Sequence, residues 1–332
     1  MAIIIKGDQH KKTTQDILRE FNDRFMGVYA MGPDNTWFEV ISDTVITDSP
    51  EIVFPFPVDA GGYREFKGEY KYRSLDGRRA KLKPRLWQDG VKESADKMKQ
   101  ASWLGWDTQA AKLARDAAML PGQLIAELLA ANSAAGPYLG IYDDDDIASI
   151  NATYTLFHDA HLNDLLDSSH GTFDNNGLAG VGGITTDNVA AWFAHFEGLK
   201  APNGVDTLGL TFTHLLVPRT RFRAAKDFFA KDYLPTVFGS NTAAVMQENV
   251  YKGSVEVIVS DRLTDQNVVY PLALNKPEMV PFVVMRQDAP EITTLDESSA
   301  LYEATREIAV RGLHKVNVGA MFPQPIAKVT LS

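Results

Sequence analysis

From Ser49 to Gln100 no apolar stripe recurs with a helical period until near the end of the stretch. Instead Glu69-Tyr70-Lys71-Tyr72-Arg73, Ala80-Lys81-Leu82-Lys83 and Arg85-Leu86-Trp87 alternate polar and apolar residues. That is the period of a strand, whose side chains point to opposite faces in turn. Phe54-Pro55-Phe56-Pro57 and Gly61-Gly62 interrupt the opening of the stretch. Asp76-Gly77 is a two-residue hairpin signal, because both central residues of that turn need positive φ. The simplest structure is a long two-stranded hairpin with charges on one face. An isolated hairpin is marginal in water, having no third strand and no packed face. Such an arm is stable only against another body, and its length points to a neighbouring subunit.

Charge supports the same expectation. The chain carries 43 Asp and Glu against 33 Lys and Arg, a net charge of −10. Between Tyr63 and Lys99 the balance reverses to a local +6, which leaves −16 on the remainder. A basic segment on an acidic body is a solvated face, a nucleic-acid contact, or a surface that docks on another copy of the same chain, since opposite potentials favour association. With no cysteine among the 332 residues, disulfides, thiolate metal sites and a cysteine nucleophile are excluded. No run of eighteen apolar residues occurs, the length a membrane-spanning helix needs. The opening MAIIIK is too short for the apolar core of a signal peptide.

Asp107 to Asn132 reads as one long helix of about 39 Å. Leu113, Ala117, Leu120, Leu124 and Leu128 repeat at spacings of four, three, four and four, and Ile125 and Leu129 widen the stripe. Asp107 or Thr108 can cap its start. Pro121 has no N–H and crowds the preceding turn, so a kink or restart is expected there, eased by Gly122. Upstream, Thr13 with Asp16 resembles a capping box for a short amphipathic helix to Phe25. Trp37–Ile46 has strand composition. Downstream, helices are predicted over Thr185–Leu199, Thr220–Tyr233 and Asp296–Val310. Strands are predicted over Leu210–Val217, Val255–Val259, Val268–Leu274, Pro281–Met285 and Arg311–Ala320.

Signals for chemistry are weak. Asp143–Asp146 offers four consecutive carboxylates, but lacks the alternating acids, central Gly and distal Glu of a calcium loop. His158, Asp159 and His161 suggest a metallohydrolase cluster, yet hydrogen-bonded structural histidines are the preferred reading. Gly180-Val181-Gly182-Gly183 precedes a helix but lacks the Lys-Ser/Thr of a phosphate loop, and reads as a mobile loop. No catalytic residue, cofactor or metal ligand is assigned.

The order of motifs resembles the major capsid protein of tailed bacteriophages, and most closely the Mu-like major head subunit. Phe54-Pro55-Phe56 followed by Tyr63-Arg64-Glu65-Phe66 is similar to that family's motif at the base of its extended loop. Leu120-Pro121-Gly122-Gln123-Leu124-Ile125 with Leu128-Leu129 is similar to its strut helix. Tyr142-Asp143, Leu156-Phe157-His158 and His161 follow, although a run of Asp replaces the family's Tyr-Asp-Gly turn. Leu215-Leu216-Val217-Pro218 with Phe222 and Ala225 is similar to its strand–Pro–helix unit.

The resemblance implies an α+β fold: an N-terminal arm with a short helix (1–41), an extended β-hairpin loop (42–100), a strut helix with part of a peripheral domain (101–150), an axial domain (151–278) and a C-terminal return to the peripheral domain (279–332). It implies self-assembly into hexamers and pentamers of an icosahedral head that encloses double-stranded DNA without gripping it. It implies a virion protein assembled in the host cytoplasm, with a portal, a decoration protein and no membrane. Because Met1 lies close to the first helix, a separate scaffold protein is expected. The candidates for contact between subunits are Tyr63, Arg64, Phe66, Tyr70, Tyr72, Arg78, Arg79, Lys81, Lys83 and Trp87. The alternatives are a cellular nanocompartment shell of the same fold, a metal-dependent hydrolase using Asp143–Asp146 with His158 and His161, and a nucleic-acid binder using the basic hairpin.

Overall fold

The computed structural model describes residues 14–33, 35–55, 79–94, 104–131, 156–164, 168–237, 244–287 and 289–332. Helix α1 spans Thr14–Ala30, one turn beyond the predicted end. Val28 extends the face of Leu18, Phe21 and Phe25, and all four are buried. Helix α2 (Trp37–Val40) is a single turn where a strand is expected. Its start is held by Asn35, whose side-chain oxygen accepts the Trp37 N–H at 3.2 Å. Trp37 and Phe38 are driven into the core, which overrides their strand preference.

Helix α3 is the long one, Leu104–Ala131, about 42 Å at 1.5 Å per residue. It begins three residues before the expected cap and runs through Pro121 without interruption. Its buried surface is wider than the leucine stripe. Ala110, Leu113 and Ala114 pack against α1, whereas Met119, Leu124, Ile125, Leu128 and Leu129 enter the central core. Gly122 is required by contact: a Cβ there would stand 2.7 Å from the Phe38 ring.

Two sheets flank this helix. The first contains β1 (Ser42–Ile46), β4 (Arg85–Ser94), β12 (Phe282–Arg286), β13 (Glu291–Leu295) and β14 (Glu307–Ala320). Strand β14 is its axis. On one edge β4 pairs with Glu307–Val316; on the other, β13 and β12 lie end to end, and β1 adds to β12 in parallel. The expected helix over Asp296–Val310 is reduced to α6 (Ala300–Thr305). Arg306 ends it in the left-handed region at φ 59°, and Glu307–Val310 are taken by the sheet ladder.

The second sheet runs β10 (Glu256–Ser260), β7 (His214–Pro218), β11 (Val268–Leu272), β15 (Val329–Thr330). Helices α4 (Thr186–Gly198) and α5 (Phe222–Ala230) cover it through Trp192, Phe196, Phe228 and Phe229. The cap is Thr185, whose side chain accepts the Asn188 N–H, rather than Thr186 or Asp187, the caps the sequence suggests. The strand predicted from Leu210 begins only at His214. Leu216, Ile258, Tyr270 and Leu272 from this sheet join Phe282, Val316 and Val318 from the first in one core around α3. The C-terminal segment returns to both sheets, because β15 pairs with β11 after β14 has completed the first.

Candidate assembly surfaces

Beside the first sheet stands a separate two-stranded ladder, β2 (Ile52–Pro55) against β3 (Arg79–Leu82). Its register, Ile52 opposite Leu82 and Pro55 opposite Arg79, leaves twenty-three residues (56–78) between the strands. Those residues, the predicted Asp76-Gly77 turn among them, lie outside the described ones. The base is anchored in its own subunit. Leu82 is 2% exposed and packs with Val283 and Met285. Past the ladder the chain leaves the arm, and Arg85 onward is β4 of the first sheet.

The contact candidates fall in three groups. Tyr63, Arg64, Phe66, Tyr70, Tyr72 and Arg78 lie outside the described residues. Arg79 and Lys81 occupy the second strand of the ladder. Lys83 is exposed, and its carbonyl accepts the Asn317 side chain at 2.7 Å. Trp87 is half-buried, donates its indole N–H to the Val316 carbonyl at 2.8 Å, and packs on the central core.

A second projection carries no expectation from the sequence. Strands β8 (Tyr233–Val237) and β9 (Ala244–Glu248) pair only with each other among the described residues. Tyr233 and Met246 are 56% and 61% exposed on this hairpin. Its root is fixed by Asn249, which is buried and donates to the carbonyls of Phe228 and Lys231 at 2.6 and 3.0 Å. Lys252 pairs with Asp232 across the same root. The signal in the sequence is faint: Gly239-Ser240-Asn241 is turn-forming, but Pro235, Ala244 and Glu248 in the flanking runs disfavour strands.

The residues weighed for metal or phosphate chemistry are used for packing. His161 is buried, bonds the Leu156 carbonyl through Nε2 at 3.1 Å and stacks on Phe173 at 5.1 Å. Burial pushes its imidazole down to about 4. His158 Nδ1 accepts the Ala160 N–H at 2.9 Å. Between them sits Asn175, fully buried. Its Nδ2 donates to the carbonyls of Leu156, Pro323 and Ile326, and its Oδ1 accepts the His158 N–H. Among the described residues no three His, Asp or Glu gather closely enough to hold a metal ion; Asp143–Asp146 lie outside them.

The Gly180–Gly183 loop is held rather than loose. Asn188 donates to the carbonyls of Val181 and Gly183 at 2.9 and 2.7 Å, and Trp192 to that of Ala179 at 2.8 Å. A Cβ on Gly180 would stand 2.2 Å from the Thr330 carbonyl, so this glycine lets the loop lie against β15.

No curated protein sequence matches this one. Among solved structures, the capsid of a native GTA particle is similar with 10% identity over 90% of each chain and a TM-score of 0.50. Mycobacterium phage Patience gives 11% identity, 97% of this chain, 89% of that one and a TM-score of 0.49. The procapsid of bacteriophage JBD30 gives 13%, 96%, 77% and 0.47. At these identities the likeness is one of fold. The family model described as phage capsid protein matches residues 105–329, from the start of α3 to β15. By that match the chain belongs to the phage capsid protein family, and its role is that of a structural protein of the capsid.

Proposed function

We propose that this chain is the shell-forming subunit of a tailed-phage head: it assembles with itself into hexamers and pentamers of an icosahedral shell that encloses double-stranded DNA. The single observation that carries this reading is the family match across residues 105–329. The β2–β3 ladder supports it, because a two-stranded element marginal alone gains its remaining contacts from a neighbouring subunit. In this reading the first sheet with α1 and α3 is the peripheral domain, the second sheet with α4 and α5 the axial domain, and the β2–β3 ladder the base of the arm. Many weak contacts suffice, since a closed symmetric lattice multiplies each of them. The role is structural rather than enzymatic, and its place is the virion. Scaffold, portal and decoration proteins are its further partners. The phage capsid match favours a virus head over a cellular nanocompartment.

Electron microscopy of the purified chain, expressed alone and with its neighbouring reading frames, tests the reading. Closed shells, tubes or capsomer rings are expected, and DNA in shells from infected cells. A uniform monomer or dimer in both preparations overturns it.

A further inference from the structure

Strand β4 is an open side of the first sheet. In an antiparallel ladder the N–H and C=O of one residue point to the same side, and successive residues alternate. Gln287 donates its N–H to the Lys315 carbonyl at 3.1 Å, so the odd residues of β14 turn to β12 and β13 and the even ones to β4. The register then sets Arg85, Trp87, Asp89, Val91 and Glu93 inward, on β14. Leu86, Gln88, Gly90, Lys92 and Ser94 present their N–H and C=O outward, along about 27 Å of strand at about 3.4 Å per residue.

Among the described residues no strand lies beyond this edge, and no hydrogen bond reaches the main chain of Leu86, Gln88 or Lys92 from that side. Leu86, Gln88, Gly90 and Lys92 are all exposed. The remaining two outward donors are closed by the acid that precedes each. Asp89 Oδ1 accepts the Gly90 N–H at 2.7 Å, and Glu93 Oε1 accepts the Ser94 N–H at 3.0 Å. A long open edge is a template for any extended chain, and charged side chains set along it keep the wrong strands away. A cap made of one side-chain bond is readily exchanged for a strand that brings a whole row of carbonyls.

The occupant must bring a strand with an unmet edge of its own, and this chain carries such strands. The β2–β3 and β8–β9 ladders each pair only with themselves among the described residues, so their outer edges are open too. In a chain of the phage capsid protein family, further copies of the same chain bring those edges together in a closed lattice.

We propose that the outer edge of β4 pairs with a strand of a second copy of this chain in the shell, and that Asp89 and Glu93 keep that edge closed in the free subunit. This rests on the shell reading above.

Hydrogen exchange on the full chain, free and in purified shells, is the test. The amides of Leu86, Gln88 and Lys92 should exchange freely in the subunit and at least about tenfold more slowly in shells; those of Trp87 and Val91, bonded to β14, should be protected in both. Gln88→Pro removes an outward N–H and leaves the β14 ladder whole. Its subunit should melt near the wild-type temperature but need about fivefold more protein before light scattering reports assembly, as for one hydrogen bond lost. Asp89→Ala with Glu93→Ala should lower that concentration; an unchanged one removes the two acids from the proposal. Gln88→Cys, in a chain with no other cysteine, takes a photo-crosslinker that should join two copies of the chain in shells. A crosslink only to a different protein overturns the second-copy occupant. Outward amides that stay unprotected in shells, or Gln88→Pro assembling at the wild-type concentration, overturn the inference and leave the shell reading standing. A wild-type chain that never assembles overturns both.

Discussion

Replacing Asn175 probes the join between the loop after α3 and the end of the chain. Its side chain is 0% exposed and serves four backbone groups: it accepts from His158 N at 2.8 Å and donates to Leu156 O at 3.0 Å, Pro323 O at 3.0 Å and Ile326 O at 3.2 Å. Two amide hydrogens are shared among three carbonyls, so the side chain supplies three full bonds. At about 1 kcal/mol net per bond, and about 1–3 kcal/mol for each buried group left unsatisfied, Asn175→Ala is expected to cost about 3–5 kcal/mol. That is a large part of the roughly 5–15 kcal/mol that holds a domain folded. Asn175→Asp keeps the size and the acceptor for His158 N–H but turns both donors into lone pairs facing carbonyls, and buries a charge; it should cost at least as much as Ala. Urea unfolding of unassembled subunits, followed by circular dichroism, measures both. Hydrogen exchange should quicken at Ala327 and Leu331, whose N–H groups bond Pro271 O and Asn267 O in the segment that Asn175 secures. An Ala variant within about 1 kcal/mol of wild type, or an Asp variant more stable than Ala, would refute the account.

Reversing Arg78, Arg79, Lys81 and Lys83 to Glu should leave the circular dichroism and melting temperature of the subunit near wild type while abolishing assembly; normal shells in the microscope would sink the arm's role. Gly122→Ala should destabilise the subunit by up to about 2 kcal/mol in thermal unfolding, because crowding of the Phe38 ring at 2.7 Å (about 1–3 kcal/mol) outweighs the gain of about 1 kcal/mol in helix propensity. His161 and His314 are both pushed down to about 4, chiefly by burial, and for His314 also by the Arg286 charge. Their unfolded rings protonate near 6.5 while the folded rings stay neutral, so stability is full above pH 6.5 and falls between 6.5 and 4, by up to about 3 kcal/mol for each ring. His314→Phe, which loses no hydrogen bond, should flatten that fall without lowering stability at pH 8.

Elements whose partners lie within their own sequence window were legible. The leucine spacing of α3 and the face of α1 follow from local geometry alone. Trp37–Val40 misled, because aromatic and β-branched residues favour strands, and only the pocket against Gly122 turns them into a helical turn. The segment from Glu307 misled in the opposite way: it continues a helical pattern, but strands β4 and β13 on its two edges outweigh that preference. Nothing local marks Asn175, whose bonds span 17 to 151 residues of sequence. Arg286 and His314 likewise become neighbours only through the antiparallel register of β12 on β14. Of the predicted hairpin the described residues hold one short ladder, β2 against β3, and the alternation of Ala80-Lys81-Leu82 marks its second strand.

The passage from arm to body turns on two residues. Strand β3 ends at Leu82 in the ladder with β2, and β4 begins at Arg85 in the ladder with β14. A strand passing unbroken from one ladder to the other would carry one register and one twist through both. Pro84 prevents this: it has no N–H to donate and fixes its own φ, so pairing lapses and resumes in a new direction. The junction is then fastened on either side of the proline, by Asn317 on the Lys83 carbonyl and by Trp87 on that of Val316. Both fastenings reach β14, the strand that holds the whole first sheet. A pull on the arm by a neighbouring subunit would therefore reach the centre of that sheet rather than its edge, where a short ladder would peel. An arm so rooted can take contact energy from outside without unfolding the subunit that carries it.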